Sequence, residues 1–223
     1  MSTNSPLLTI PYVPQLDGCD LAQAQNILEE NGARRTIESL NWPDQYPYHP
    51  LTVFTVAHSG KSIFIDFLVR CNYLKASNYT DNSPVSQDSC VEFFVSPQCD
   101  ERYWNFEFNC IGAINASTRT ERRNPRRLTT DELAQVGRMA SCGTRPFEEV
   151  EGLFTWDLLV EIPLSLIGVQ FEGKPIEMKG NFYKCASGTS LPHYLSWSPI
   201  HTERPDFHQP QFFGNIILGA DEK

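Results

Sequence analysis

Two neighbouring stretches of the chain alternate between apolar and polar residues with a period of two. Residues 90–95 read Cys-Val-Glu-Phe-Phe-Val, and residues 103–110 read Tyr-Trp-Asn-Phe-Glu-Phe-Asn-Cys. Because successive side chains of a β-strand point to opposite faces of the sheet, each stretch predicts a strand with one mainly apolar face. Together they predict an antiparallel hairpin whose aromatic faces meet inside the protein, since a slip of one residue would bury the polar face.

The polar face of this hairpin is the first candidate for a binding surface. The register that keeps like faces together gives three predicted cross-strand pairs: Phe93 with Trp104, Glu92 with Asn105, and Asp88 with Asn109. Carboxylates and amides then gather beside Tyr103 on a flat, exposed sheet surface, which suits the hydroxyl groups of a sugar. The alternative is an ordinary solvated sheet face.

The remaining pattern predicts a sheet-rich chain with two or three short helices. A helix is expected over residues 20–31, with Asp20 as its cap and Gly32 at its end. A second is expected over 130–139, and a single helical turn over 164–168. The other predicted strands are 36–40, 51–58, 61–71, 113–118, 155–162, 176–185, 194–198 and 215–218.

No internal repeat or linker divides the chain, so we predict a single-domain antiparallel β-sandwich. Residues 1–40 are predicted to form an N-terminal extension whose short helix packs on the sandwich, which occupies 41–223. A length of 223 residues suits one large all-β domain.

Charge and cysteine usage narrow the function classes. The net charge of −9 argues against nucleic acid or an anionic membrane as the main partner, and the arginine-rich stretch 119–127 is predicted to be a solvated loop. No run of about 18 apolar residues predicts a membrane span. The first six residues lack signal-peptide features and seven cysteines show no Cys-x-x-Cys spacing, which together favour a cytoplasmic protein with reduced thiols. The mature form of an exported protein would also lack its signal.

The sequence carries no established catalytic motif. There is no Gly-x-Ser-x-Gly elbow, P-loop, dinucleotide fingerprint or His-Glu-x-x-His, and the five histidines are scattered. Glu92 and Glu107 are candidates for the paired carboxylates of a saccharide hydrolase, the alternative function. A hairpin face offers no deep cleft, so the prediction leans away from catalysis.

Several blocks in order resemble the carbohydrate-binding module family 9-like proteins. They are Val85-Ser-Gln-Asp-Ser-Cys-Val-Glu-Phe-Phe-Val95, Tyr103-Trp-Asn-Phe-Glu-Phe-Asn-Cys-Ile-Gly112, Trp156-Asp-Leu with Ile162-Pro163, Asn181-Phe-Tyr-Lys184, His193-Tyr-Leu-Ser-Trp-Ser-Pro-Ile200, and Phe207-His-Gln-Pro-Gln-Phe-Phe-Gly214. The resemblance implies a jelly-roll-like β-sandwich, bound calcium in some members, and a terminal sugar held between aromatic rings and polar groups. No other cofactor is expected.

The resemblance also assigns roles to individual residues. The Asp-x-x-x-Glu pattern falls on Asp88 and Glu92, the strand asparagine on Asn109, and the late tryptophan on Trp197. With Asn105 and Tyr103 from the hairpin face, and an arginine of the 119–127 loop as a clamp, these form the expected ligand-binding set. Trp197 is expected either to stack on a pyranose or to cap the core.

One position departs from the pattern of the resemblance. Modules of this type tend to place a stacking aromatic where this chain has Ser86, with Tyr79 or Tyr103 as substitutes. This departure keeps open a third hypothesis, a structural domain whose sugar site has decayed.

Overall fold

The computed structural model describes residues 5–99, 101–120 and 123–220. In chain order its strands are β1 (Leu7–Ile10), β2 (Ala33–Thr36), β3 (Ser39–Leu40), β4 (Leu51–His58), β5 (Ser62–Ala76), β6 (Cys90–Ser96), β7 (Tyr103–Asn109), β8 (Ile114–Arg119), β9 (Arg126–Arg127), β10 (Gly137–Ala140), β11 (Phe147–Pro163), β12 (Ile176–Cys185), β13 (Tyr194–Ser196) and β14 (Gly214–Leu218). The α-helices are α1 (Leu21–Asn31) and α2 (Thr130–Leu133), and short 3-10 turns lie at Pro14–Leu16, Val85–Gln87, Leu164–Ile167 and Pro210–Phe212.

Within the described part of the chain, the strands form two sheets. The first has the order β10-β11-β5-β4-β2, with antiparallel pairing throughout. The second has nine strands in the order β1-β14-β12-β6-β7-β8-β9, with β13 beside β12 and β3 beside β13. Among the described strands of this sheet, β1 and β14 form the one parallel pair. The predicted all-β sandwich with short helices is confirmed.

The main core lies between the two sheets and is rich in phenylalanine. The Phe182 ring on β12 stacks on Phe54 of the opposite sheet, with centroids 3.8 Å apart, and on Phe93 of the neighbouring strand at 4.7 Å. Each such ring is fully buried and contributes roughly 2–3 kcal/mol through loss of apolar surface from water. Trp104 and Trp156 join this core, as alternation within their strands predicts.

The hairpin of β6 and β7 forms with the predicted faces but in a different register. Phe93 pairs with Phe106 and Glu92 with Glu107, so the predicted pairing of Glu92 with Asn105 is wrong by two residues. A shift of two leaves every side chain on its face, so alternation alone does not distinguish the two registers.

The polar face of the hairpin is not an exposed platform, which corrects the prediction. Residues 199–213, here called the C-terminal cover, fold back over this face and bury it beneath a second apolar cluster. The Phe207 ring of the cover stacks on Tyr183 of β12, with centroids 4.2 Å apart and planes 12° apart. Asn105 and Asn109 on this face are as inaccessible to solvent as the core rings.

Both helices begin where the sequence predicts. Asp20 accepts a hydrogen bond from the Gln23 amide at 2.8 Å in a capping box, and α1 ends at Gly32. The second helix is shorter than its predicted span of 130–139, because residues 137–140 instead pair with β11. Neither described helix has the length and apolar character needed to cross a membrane.

The first forty residues contribute strands to both sheets. Strand β1 pairs with β14, β3 pairs with β13, and β2 pairs with β4 of the other sheet. A domain boundary at residue 40 stays a prediction, and the described part of this segment is hydrogen-bonded into the sandwich.

Candidate functional site

A cavity of about 230 Å³ opens between the nine-stranded sheet and the C-terminal cover. We call it the Glu92 pocket. Its lining comes from the sheet, from two short loops and from the cover: Glu92, Glu107, Cys185, Tyr194, Ser86, Ser187, Pro205, Asp206, Phe207 and His208. Pockets for drug-sized ligands usually exceed 300 Å³, so this one suits a smaller polar molecule.

Glu92 lies at the centre of the sheet, on the floor of the pocket. Its strand runs between β7 and β12, where its direct partners are Glu107 and Tyr183. The donors that reach its carboxylate from the described residues are thiols: Cys185 at 3.1 Å and Cys90 at 3.8 Å from Oε1. Burial raises the pKa of Glu92 well above its ordinary value, and the nearby Cys185 and Glu107 raise it further.

Glu107 is held much more firmly than Glu92. Its two carboxylate oxygens accept hydrogen bonds from Asn105 at 2.9 Å and from Asn115 at 3.0 Å. Arg119 donates to the Asn105 side-chain oxygen at 3.0 Å and so fixes the amide that donates to Glu107. Burial raises the pKa of Glu107, while the Asn115 hydrogen bond and the Arg119 charge act in the opposite direction.

Aromatic rings form the walls of the pocket. Tyr194 is half-buried, and its ring meets Phe207 edge-on at 5.9 Å. His208 stacks on Phe94, with centroids 5.0 Å apart, and its Nδ1 lies 3.2 Å from the hydroxyl of Tyr103. Acidic groups on the floor and rings on the walls are the groups that hold a sugar by its hydroxyls and its apolar face.

A larger cavity elsewhere lacks this combination of groups. It measures about 640 Å³ and is lined by residues 60–61, 164–165 and 168–171. Among the described residues that line it there is no carboxylate, and Lys61 is the one charged side chain. Size alone would favour this cavity, but the polar groups converge at the Glu92 pocket.

The sequence profile described as Carbohydrate-binding family 9 matches residues 22–218, nearly the whole chain. The chain belongs to this family. A search of curated proteins found no match.

Solved structures share the fold of this chain. The crystal structure of a candidate carbohydrate-binding protein from Bacteroides uniformis ATCC 8492 is 36% identical, with a TM-score of 0.92 over 96% of this chain and 100% of that one. A family 9 module from Caldicellulosiruptor kristjanssonii, in complex with cellotriose, is 10% identical, with a TM-score of 0.62 over 98% and 96% of the two chains. A family 9 module from the same organism, in complex with glucose, is 14% identical, with a TM-score of 0.57 over 98% of each chain. The last two show the family 9 fold alone.

Of the residues expected to bind ligand, Glu92 lines the pocket directly. Asp88 and Asn109 lie behind it: Asp88 accepts hydrogen bonds from the backbone amides of Ser77 and Asn78, and Asn109 donates to Asp88 at 2.9 Å. Asn105 is fully buried and supports Glu107, while Tyr103 is buried and positions His208. In this family 9 chain, these four side chains lie behind the pocket and do not line it.

Trp197 lies in the core between the sheets and does not line the pocket. The residue is 9% exposed, and its ring packs edge-on against Phe182, with centroids 6.0 Å apart. The physical reason is strand parity, since Trp197 follows Leu195 on the inward face whereas Tyr194 points to the pocket. Of the two roles considered for Trp197, this placement is that of a core residue.

Sequence reasoning missed most of the pocket walls. The blocks that resemble family 9 contain Tyr194, Phe207 and His208, but the sequence prediction selected Trp197 as the stacking ring. Alternation over residues 194–197 would have separated Tyr194 from Trp197. No local signal shows that residues 205–208 fold back onto β6 and β7, because that contact spans more than a hundred residues of chain.

Proposed function

We propose that this family 9 protein binds a saccharide non-catalytically, with one sugar unit in the Glu92 pocket. The observation that carries the proposal is the buried Glu92 carboxylate, which faces a cavity of about 230 Å³ and has thiols as its described donors. Because burial favours the neutral form of this carboxyl group, it can both donate hydrogen bonds to sugar hydroxyls and accept them, and each contributes about 0.5–1.5 kcal/mol.

The walls supply the second part of the proposed recognition. Tyr194 offers a half-exposed ring, and His208 offers a ring held in place by Phe94 and Tyr103. Ser86 and Ser187 also line the pocket and provide hydroxyl groups. The small volume favours a single terminal unit over a long chain lying across the sheet.

The test is calorimetric titration with glucose, cellobiose, cellotriose and a panel of other monosaccharides. We expect one site per chain for at least one sugar, and a loss of roughly tenfold or more in affinity for Glu92→Gln. Glu177→Gln is the matched control, because Glu177 lies exposed on β12 of the same sheet. A correctly folded wild type that gives no heat with any sugar would contradict the proposal and support a decayed site.

The hydrolase alternative has one observation in its favour. Glu92 and Glu107 are directly opposite on neighbouring strands, a pairing that places β-carbons about 5 Å apart, and retaining glycosidases use two carboxyl groups about 5–5.5 Å apart. Against it, both oxygens of Glu107 are occupied by asparagine amides. We expect no release of nitrophenol from aryl glycosides; turnover that disappears in both Glu92→Gln and Glu107→Gln would favour the hydrolase.

A further inference from the structure

Two thiols and a carboxyl group meet at the Glu92 pocket, where Glu92 and Cys185 line the cavity and Cys90 does not. Cys90 and Cys185 are direct partners in the register of β6 with β12, and Glu92 follows Cys90 by two positions on the same face. One ligand atom from each of these three side chains lies within 4.8 Å of the other two. Among the described residues, no other group of three or more His, Cys, Asp or Glu side chains meets this criterion.

The spacing matches the corners of a tetrahedral metal site. With zinc–sulfur and zinc–oxygen bonds of about 2.3 and 2.0 Å, a sulfur and an oxygen ligand stand about 3.5 Å apart. The Glu92 Oε1 atom is 3.1 Å from the Cys185 sulfur and 3.8 Å from the Cys90 sulfur, which brackets that value. Both cysteines are free of disulfide bonds.

The cluster offers a cation three ligands. Glu92 is 2% exposed, and the donors that reach its carboxyl group from the described residues are two thiols, which donate weakly. A carboxylate that ionises at this depth needs a counter-charge. A metal ion that displaces the protons of the cluster would supply that charge and gain two thiolate ligands.

We propose that Cys90, Glu92 and Cys185 form a binding site for a thiophilic divalent cation of the zinc class. Glu92 and Cys185 line the pocket, so the fourth coordination position faces the cavity and the ion enters from there. Two sulfur ligands suit zinc, cobalt or cadmium, whereas calcium prefers an all-oxygen shell. This group therefore does not fit the calcium that the family resemblance implies.

The test is titration of the fully reduced protein with Co²⁺, followed by displacement with Zn²⁺. We expect one equivalent of Co²⁺ to produce a thiolate-to-cobalt charge-transfer band and the visible bands of tetrahedral cobalt, with release of protons. Cys90→Ser and Cys185→Ser should each weaken binding at least tenfold. Cys142→Ser is the matched control, since Cys142 interacts with Cys110 and lies outside the cluster.

A second readout uses the wild type alone. Zn²⁺ should slow alkylation of Cys90 and Cys185, located by mass spectrometry, and leave Cys19 and Cys99 unchanged. Absence of the cobalt bands, bands that persist without Cys90 and Cys185, or bands lost in Cys142→Ser would each overturn the site. Saccharide titration of the metal-free wild type measures sugar binding separately from metal binding. Failure of the metal site would thus leave the proposed function unaffected.

Discussion

At the scale of single residues, the chemistry of the pocket depends on which polar side chains already form hydrogen bonds within the protein. Asp88 accepts a hydrogen bond from the Asn78 backbone amide, and Asn109 donates one to the Asn78 carbonyl. The oxygens of Glu107 accept hydrogen bonds from asparagine side-chain amides. Glu92 is held by thiols and faces the cavity. Alternation along one strand identified the face on which each residue lies. The hydrogen bonds of these side chains depend on neighbours that are distant in sequence.

Tyr194 provides a residue-scale prediction about affinity. Its ring lines the pocket, and burial raises its pKa to about 12, so the hydroxyl stays protonated and available as a donor. Tyr194→Ala should weaken saccharide binding roughly tenfold, because stacking and its hydrogen bond are both lost. Tyr79→Ala is the calorimetric control, since exposed Tyr79 lies at another cavity. Equal losses in both variants would show that Tyr194 has no specific role.

Asp66 provides a residue-scale prediction about pH. Burial raises its pKa from 3.8 to about 6, with Gln25 donating to it at 3.3 Å. The folded state therefore binds this proton more tightly than the unfolded state, so stability falls as pH rises from about 4 to about 6 and stays lower above. Asp66→Asn should remove the penalty and raise the free energy of unfolding at pH 7 by up to about 3 kcal/mol.

Urea unfolding between pH 4 and pH 8 measures this effect. Asp44→Asn is the control, because Asp44 is exposed. If Asp66→Asn keeps the pH dependence of the wild type, the buried aspartate is not its source.

At the scale of elements, local signals located the strands and helix starts more reliably than the ends and registers. The cap of α1 and the strand at residues 176–185 appear where predicted. Helix α2 ends early because pairing of residues 137–140 with β11 outweighs their helical pattern. The β6–β7 register differs by two residues, since both registers place the same side chains inside.

The cap of α1 yields an element-scale prediction. Asp20→Ala should lower the free energy of unfolding by about 1 kcal/mol, because the Gln23 amide loses its acceptor at the helix start. Asp20→Asn retains an acceptor, so it should lower the free energy of unfolding by only a few tenths of a kcal/mol. Chemical denaturation of the two variants measures the difference, and equal destabilisation would contradict the capping role. Saccharide affinity should not change in either.

At the scale of the whole molecule, the C-terminal cover creates the pocket. Without it, the hairpin face would be the flat exposed surface that the sequence predicts. Two buried asparagines fasten the start of the cover: Asn41 accepts from the Ile200 amide at 3.1 Å, and Asn181 bonds both backbone groups of Ser198. The site therefore depends on contacts between the middle and the end of the chain.

Removing this fastening yields the whole-molecule prediction. Asn181→Ala leaves the buried amide and carbonyl of Ser198 without their partner, so stability should fall by about 2–3 kcal/mol. Saccharide affinity should fall as well, because the wall at residues 205–208 loses its anchor. Unfolding and calorimetry on Asn181→Ala and on Asn26→Ala, an exposed asparagine of α1, provide the comparison. If Asn181→Ala loses stability but keeps full saccharide affinity, the anchor of the cover does not affect the binding site.

The sequence by itself determined the sandwich class, the inward face of each long strand and the presence of Glu92 among polar residues. Those properties follow from the alternation of apolar and polar residues or from helix caps a few residues long, so short stretches of sequence are enough to predict them. Tertiary structure decided that the polar face is covered, that Tyr194 and His208 form its walls, and that Trp197 belongs to the core. Each of these depends on which distant segments pack together, and burial of apolar surface by the cover has no signature in any single stretch of the chain.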